Sequence, residues 1–272
     1  MKKYPKISVL IGTYNRSVKL ARCLNAIISQ DYPSIEVIVV DDCSSDDTQQ
    51  VLEEFESKPN SIIRSIKNKS NKGIAYNSNL AFTYSNGDYI ALIGDDDYWI
   101  DKSKLRKQIN GILQNNAHIS GTWWIEKREN IEVEKKPEVS KNYKKRVLSG
   151  GGLICGSTTL ISRKAWELVK GFDESFKRGT DSDLFRRIIL KTQKAPFILK
   201  SLTTIVDLTG NDRMTSQNSI KYIKPHLYSN NKLIRKFFFI LLFRYPDVFI
   251  YRIIRSIKLI VRMILSFLLK QK

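Results

Sequence analysis

Apolar and polar positions alternate in two different rhythms along the first hundred residues. Four short runs are almost continuously apolar, which is typical of buried strands: 7–11, 35–40, 62–66 and 89–93. Between the first two runs, Leu20, Leu24 and Ile27 recur at helical spacing. Strands that alternate with amphipathic helices predict an α/β domain, with a Rossmann-like, mostly parallel sheet flanked by helices.

Carboxylates follow two of the predicted strands. The second run ends in Asp41 and Asp42, and the fourth is followed by Gly94 and then by the acidic triplet 95–97. Ligands of open α/β sheets bind in the crevice outside the carboxyl ends of the strands. We therefore expect both acidic clusters to point into one crevice.

The second half of the chain has a different organisation. Residues 130–145 are rich in Lys, Glu and Asn with little periodicity, which predicts a surface loop. An apolar run at 158–162 and a helical pattern around Trp166 follow, so the domain continues beyond that loop. We predict one α/β domain over 1–220, with a nucleotide-binding half at about 1–115 and an acceptor half at about 116–220, and a basic helical appendage over 221–272.

Polar residues recur at every third or fourth position in the last predicted helix. This stripe contains Arg252, Arg255, Lys258, Arg262, Ser266 and Lys270, and the opposite face is almost wholly apolar. The charges interrupt the segment too often for a membrane-spanning helix, so the pattern favours a helix lying in the interface of an anionic membrane. The alternative is that the helix packs on another protein surface. That surface would be the catalytic domain of the same chain or a second subunit, and the second case implies a homo-oligomer.

The formal net charge of +19 predicts attraction to an anionic partner. Nucleic acid, anionic lipid and a phosphorylated substrate all fit that charge. Because the positive charge is concentrated in an apolar tail and no motif for DNA or RNA recognition occurs, we expect no nucleic-acid partner.

Two features bear on the compartment of the protein. Cys23, Cys43 and Cys155 are odd in number and widely spaced, which is typical of reduced thiols. The apolar run after the basic N-terminus is about five residues long, too short for the core of a signal peptide. We expect a cytoplasmic protein attached peripherally to the inner face of the cell membrane.

Three adjacent carboxylates, Asp95, Asp96 and Asp97, repel one another unless a cation is bound. Oxygen-rich sites of this kind suit Mg²⁺ or Mn²⁺, and Mg²⁺ usually completes its shell with water and substrate phosphates. The pattern therefore predicts a metal site that also holds a diphosphate. A solvated acidic turn is the alternative.

Five strings occur in the order that is found in glycosyltransferase family 2: ISVLIGTYNR, VIVVDDCSSDDT, NKGIAYNSNLAF, GDYIALIGDDDYW and GFDESFKRGTDSDLFRRI. Over about residues 5–220 the sequence resembles that family. The resemblance implies a GT-A fold and an inverting transfer of sugar from a nucleotide sugar, expected to be UDP-linked.

The resemblance also implies roles for residues in the donor half. It assigns the nucleotide base to Thr13, Tyr14, Arg16 and Asp42, loop support to Asp41, the ribose side to Lys72, Gly73 and Asn77, the ribose or diphosphate to Asp95, and the metal to Asp96 and Asp97. Asp42 could instead cap the following helix, although 44–48 offers better caps. Gly94 departs from the family pattern, which usually has an acid there.

An inverting transfer also needs a base that takes the proton of the attacking hydroxyl. Asp181 matches the family's proposed base, while Thr180 replaces the acid before it. An isolated Asp at that position could also be a helix N-cap. Arg213, in a loop that resembles the family's donor-covering segment, is a candidate contact for the departing diphosphate.

Together these patterns predict a metal-dependent hexosyl- or N-acetylhexosaminyl-transferase. Its acceptor would be a hydroxyl of a glycan or of a lipid-linked oligosaccharide, in surface polysaccharide synthesis. Because Gly94 and Thr180 replace acids of the family, the alternative is an inactive relative that serves as a membrane-bound scaffold or partner.

Overall fold

The computed structural model describes residues 4–150, 152–176, 178–209 and 220–268. The strands are β1 (Ile7–Thr13), β2 (Ile35–Asp41), β3 (Ile63–Lys67), β4 (Tyr89–Leu92), β5 (Tyr98–Trp99), β6 (Ile119–Arg128), β7 (Ile131–Lys135), β8 (Leu160–Ser162) and β9 (Phe197–Asp207). The helices are α1 (Ser17–Ile28), α2 (Thr48–Glu56), α3 (Ile74–Thr83), α4 (Lys104–Gln114), α5 (Tyr143–Ser149), α6 (Arg163–Val169), α7 (Thr180–Thr192), α8 (Ile220–Lys236) and α9 (Pro246–Leu268). A 3₁₀ turn covers Gly156–Thr158, and a π-helical turn covers Ile240–Arg244.

Within the described residues, one sheet has the strand order β3-β2-β1-β4-β8-β6-β9-β5, with β7 paired to β6. The strands β1 to β4 are parallel, as the alternation of strands and helices predicted. Farther along, β8 lies antiparallel to both β4 and β6, so it joins the parallel strands to the strands of the second half of the chain. The α/β class is confirmed, and all four predicted runs form strands.

Helices cover both faces of the sheet because successive side chains of its strands point to opposite sides. Ile11 of β1 packs in a core with Leu24 of α1 and Leu105 of α4. Leu10, on the other side of β1, belongs to a second core that includes Trp166. Only 2% of Trp166 is exposed, so this residue is part of the core rather than a platform for a sugar.

The segment 130–145, for which we predicted a loop, contains regular structure. Residues 131–135 form β7, which pairs antiparallel with the end of β6, and α5 begins at Tyr143. The prediction was wrong because β7 is only five residues long and three of them are charged, so its alternating pattern is too short to stand out from the charged residues around it.

The C-terminal helices lie against the second half of the α/β domain, where α9 packs on α8 and α5. Arg252, Arg255, Lys258 and Arg262 of the predicted polar stripe lie in α9, but part of the stripe faces the protein, while the Ser266 side chain and Lys270 lie outside the described part of the chain. Arg252 is 4% exposed and donates hydrogen bonds to the Leu148 carbonyl oxygen, at 2.6 and 3.1 Å, and to Asn230 Oδ1 at 2.8 Å. Because these buried acceptors take the guanidinium inward, the apolar side of α9 faces outward.

None of the helices in the described parts of the chain combines the length and the apolar character that crossing a membrane requires.

Candidate active site

A crevice of about 640 Å³ opens at the carboxyl ends of β1, β2 and β4. Its lining includes residues 12–16, Asp42, Asn71, Gly73, Ile74, Asn77, residues 94–97 and residues 206–208. The two acidic clusters therefore meet at one edge of the sheet, as their positions after strands predicted. A crevice of this size accommodates a nucleotide-sized ligand.

Asp42 organises the loop that follows β3. Its Oδ1 accepts hydrogen bonds from the Lys72 amide at 2.7 Å and from Asn68 Nδ2 at 2.9 Å, and its Oδ2 accepts one from the Gly73 amide at 2.8 Å. The start of α2 is bonded instead by Asp46, whose Oδ1 accepts from the Thr48 amide. The helix-cap interpretation of Asp42 is therefore excluded.

The other predicted nucleotide residues divide into lining and support. Thr13 is buried in the lining, Tyr14 is half exposed, and Asn77 lines the crevice while accepting a hydrogen bond from Asn68 Nδ2 at 2.7 Å. Asp41 is fully buried and accepts from the Ser44 amide, so it supports the loop after β2.

Lys72 contributes through its backbone, since its amide donates to Asp42 while its side chain is exposed outside the crevice lining. Gly73, at φ 86°, occupies the left-handed region that favours glycine and leads directly into α3.

Arg16 joins two members of the acidic triplet. Its Nη1 lies 2.9 Å from Asp95 Oδ1 and 3.0 Å from Asp96 Oδ2. Burial raises the pKa of Asp95, the nearby Arg16 guanidinium opposes that rise, and Asp96 adds to it. One guanidinium thus offsets part of the repulsion between two adjacent carboxylates.

Asp97 is held from two sides. Its Oδ1 accepts from the Asp207 amide at 2.9 Å, and its Oδ2 accepts from the Ser157 hydroxyl. Burial and the negative charge of Asp96 raise the pKa of Asp97 to about 8. The raised pKa of Asp97 means that a second negative charge beside Asp96 is unfavourable, so a bound cation would be stabilised here.

The triplet suits a divalent ion that takes few ligands from the protein. In the side chains that the structure describes, no three His, Cys, Asp or Glu residues converge as ligands of one ion. Asp96 is the most exposed of the three carboxylates, at 21% of its side chain, whereas both oxygens of Asp97 have protein partners. A diphosphate-bound Mg²⁺ needs only one or two protein carboxylates, and Asp96 fits that role.

Gly94 leaves room for these carboxylates. A Cβ atom at this position would lie 2.9 Å from Asp96 Oδ1 and 3.3 Å from Asp97 Oδ2. A larger residue would therefore require the Asp96 carboxylate to move. The Gly94 amide also donates to Ser157 Oγ at 2.9 Å.

Asp181 lies in the first turn of α7, whose N-cap is Gly179. Its Oδ1 accepts from the Ser182 amide at 2.7 Å, and its Oδ2 would lie 3.6 Å from a Cβ atom placed on Gly156. Burial raises the pKa of Asp181, although the Ser182 hydrogen bond and Arg186 oppose the rise. A raised pKa suits a group that must accept a proton.

The turn 155–158 connects the two sides of the site. Ser157 contacts Asp97, Gly156 faces Asp181, and the negative charges of both aspartates add to the burial that raises the pKa of Cys155. Asp181 nevertheless lies outside the lining of the donor crevice. The structure therefore places the two carboxylate sites side by side, on either side of one turn.

Three residues of the site were missed in the sequence. They are Ser157, Arg22 and Asp207: the Arg22 guanidinium donates to Asp207 Oδ2 at 2.7 Å and to the Asp96 carbonyl oxygen at 2.6 Å, and it stacks over Tyr98. Asp207 ends β9 much as Asp41 ends β2, so its position was a usable signal. Arg213 lies outside the described residues.

The fold is shared with structurally known sugar transferases. Staphylococcus aureus TarS 1–349, crystallised in complex with UDP-GlcNAc, superposes with a TM-score of 0.68 at 21% identity, over 84% of this chain and 66% of that chain. A mannosyltransferase from Pyrobaculum calidifontis, in complex with GDP-Man and Mn²⁺, superposes with a TM-score of 0.64 at 16% identity, over 92% and 74%. The architecture is the GT-A fold, as expected.

Residues 8–168 match the sequence profile of Glycosyl transferase family 2, and the chain belongs to that family. The GalNAc(5)-diNAcBac-PP-undecaprenol β-1,3-glucosyltransferase of Campylobacter jejuni is 32% identical over 146 residues, which are 50% of this chain and 46% of that protein. The match thus spans less than half of that relative.

Proposed function

We propose that the protein transfers a sugar, with inversion, from a UDP-sugar to a hydroxyl group of a glycan or a lipid-linked oligosaccharide. The observation that carries the proposal is that one turn, residues 155–158, touches two carboxylate sites: Ser157 donates to Asp97, next to Asp96 on the donor side, and Gly156 faces Asp181 on the acceptor side. A displacement reaction needs a held leaving group on one side and a base on the other.

The donor side supplies binding and orientation. Thr13, Tyr14 and Asn77 lie where the nucleoside would enter, and Asp42 holds the backbone at Gly73 that borders it. Arg16, between two carboxylates, provides a cationic guanidinium at the same edge. The complex of TarS with UDP-GlcNAc supports UDP as the nucleotide, because that protein shares the fold.

A divalent cation, Mn²⁺ or Mg²⁺, would be held by Asp96, with Asp97 supporting the acidic loop. When bound, it would neutralise negative charge on the departing nucleoside diphosphate. The Mn²⁺ complex of the mannosyltransferase with the same fold supports this assignment. Arg22 and Asp207 would keep the Asp96 backbone in place during the reaction.

On the acceptor side, Asp181 would accept the proton of the attacking hydroxyl. The acceptor oxygen forms a bond to the anomeric carbon, while the bond from that carbon to the diphosphate oxygen breaks and the nucleoside diphosphate leaves. Attack from the face opposite the leaving group inverts the anomeric centre, so an α-linked donor gives a β-linked product. The raised pKa of Asp181 favours its role as the proton acceptor.

We place this reaction in bacterial surface polysaccharide synthesis, at the cytoplasmic face of the membrane. The undecaprenol-linked acceptor in the name of the Campylobacter relative supports a lipid-linked acceptor. The second candidate function, an inactive scaffold, is favoured by Gly94 and Thr180, which replace acids of the family. Against it, Asp96 and Asp181 are both in place beside the turn.

Calorimetric titration with UDP, with and without Mn²⁺, tests the donor site. We expect Mn²⁺ to strengthen UDP binding, and Asp96→Ala to abolish that gain. Asp31→Ala, which removes a surface carboxylate paired with Arg106, should behave as wild type. No binding of UDP in any condition would contradict the proposal and favour the scaffold.

A further inference from the structure

The outward face of α9 is apolar along almost its whole described length. Seven β-branched residues on it are at least 39% exposed: Ile250, Ile253, Ile254, Ile257, Ile260, Val261 and Ile264. Phe239 and Phe243, in the turn before α9, are 73% and 76% exposed. A contiguous apolar surface of this kind is uncommon on a soluble monomer and marks an interaction site. We call these nine residues the outer face.

The orientation of α9 is held by its buried polar side. Arg252 has hydrogen bonds to Leu148 and Asn230, and Ser256 Oγ accepts from Asn230 Nδ2 at 2.8 Å. Gly150 leaves room for that guanidinium, since a Cβ atom there would lie 2.9 Å from Arg252 Nη2. Turning the apolar residues inward would carry Arg252 outward and leave the buried Leu148 carbonyl and Asn230 Oδ1 without that donor, which is costly. The hydrogen bonds on the buried side of α9 therefore keep the outer face exposed.

Exposed cations border the outer face. Arg244, Lys258 and Arg262 lie beside its apolar residues. Asp247, the one acid after residue 220 in the sequence, pairs with Lys145 at 2.5 Å. A second copy of this chain would bring like charges together, whereas an anionic lipid surface complements them. Aliphatic and aromatic residues beside Lys and Arg are typical of helices that lie in a membrane interface.

We propose that the outer face of α9 is seated in the interfacial layer of an anionic membrane and holds the acceptor side of the enzyme next to the lipid. The attachment point supports this orientation. Arg252 binds Leu148, a few residues before the turn in which Gly156 faces Asp181. Lys236 of α8 contacts Asp183, two residues after Asp181. The membrane contact itself does not depend on the proposed function. Only the statement that the Asp181 side binds the acceptor rests on that function.

Co-sedimentation with lipid vesicles tests the membrane contact without any need for activity. The full chain is mixed with vesicles of neutral phospholipid alone or with about a third anionic phospholipid. We expect strong binding to the anionic vesicles and weak binding to the neutral ones. Changing Ile250, Ile257 and Ile264 together to Gln should lower the partition coefficient at least tenfold, because three apolar side chains lose their burial in lipid.

A matched control separates this surface from general hydrophobicity. Ile28→Gln, Leu113→Gln and Ile131→Gln together change three residues that are 46%, 44% and 61% exposed on the α/β domain, and this variant should bind vesicles as wild type does. Equal binding of both triple variants would overturn the proposal. So would self-association of the chain through α9, seen by ultracentrifugation, with no vesicle binding. UDP titration of the same variants reports separately on the donor site.

Discussion

The donor and acceptor sides of the site use carboxylates in different ways. On the donor side, Asp95, Asp96 and Asp97 are held by Arg16, by Ser157 and by the Asp207 amide. On the acceptor side, Asp181 Oδ1 accepts a hydrogen bond from the neighbouring Ser182 amide at 2.7 Å. The first arrangement fixes its carboxylates through partners from distant parts of the chain, while the second relies on a donor from the same helical turn.

This difference teaches how one chain can separate two roles of the same chemical group. A carboxylate that assists a metal must stay ionised and in place, so neighbouring donors and cations are useful to it. A base must change its protonation state during the reaction, so a raised pKa is useful instead. The turn 155–158 contacts the two groups through different residues, since Ser157 contacts Asp97 and Gly156 faces Asp181. A substitution can therefore be aimed at one group at a time.

The sharpest test of the acceptor side is Asp181→Asn. Because the amide cannot accept the proton, we expect kcat to fall by roughly 10²- to 10⁴-fold. Binding of UDP with Mn²⁺ should be unchanged, since Asp181 lies outside the donor crevice. The measurements are the transfer rate with a UDP-sugar and the calorimetric affinity for UDP. Asp31→Asn, which changes a surface carboxylate paired with Arg106, is the control. A loss of UDP affinity in Asp181→Asn would contradict the separation of the two sides.

The turn between the two sides can be tested with Ser157→Ala. This change removes the donor to Asp97 and the acceptor for the Gly94 amide. Buried groups left without partners cost about 1–3 kcal/mol, so the free energy of unfolding in urea should fall by that amount and UDP affinity with it. Ser57→Ala, at the exposed end of α2, should change neither quantity. An unchanged stability would show that the Asp97 carboxylate does not depend on this turn.

Arg16→Ala tests the counter-charge on the donor side. Without the guanidinium, Asp95 and Asp96 present more negative charge, and we expect Mn²⁺ affinity in the absence of nucleotide to rise on the order of tenfold. Electron paramagnetic resonance of free Mn²⁺ measures this affinity. Arg106→Ala, which breaks the surface pair with Asp31, is the matched control. A weaker affinity would mean that Arg16 positions Asp96 rather than competing with the ion.

The smallest expected effect is on the pH dependence of stability. Asp97 has a pKa raised to about 8 in the folded protein, above the ordinary value of about 4 for an unfolded Asp. The folded state therefore holds a proton that the unfolded state has lost, so this contribution to stability is complete below about pH 4 and is lost as the pH rises through 8. Thermal unfolding without metal should show a flatter profile for Asp97→Asn than for wild type, and parallel profiles would contradict this origin.

Much of the fold was predictable because its signals are local. The apolar runs at 7–11 and 35–40 formed β1 and β2, and the acids that follow strands met in one crevice, since parallel strands share their carboxyl edge. The edge strand β7 was not predicted, because its five residues give an alternating pattern too short to recognise within a charged segment. Ser157 and Arg22 carried no local signal, since their partners Asp97 and Asp207 are 60 and 185 residues away.

The C-terminal helix separates most clearly what each level of information contributes. The period of Arg252, Arg255 and Lys258 determined that α9 is an amphipathic helix, because helical geometry places residues three and four apart on one face. Which face turns inward depended on acceptors that the helix does not contain, the Leu148 carbonyl and Asn230. The sequence by itself determined the parallel strands β1 to β4, the acidic edge and the two-faced helix. Only tertiary packing decided that the buried arginine faces the protein and the isoleucines face outward, because a guanidinium needs partners that folding brings from distant parts of the chain.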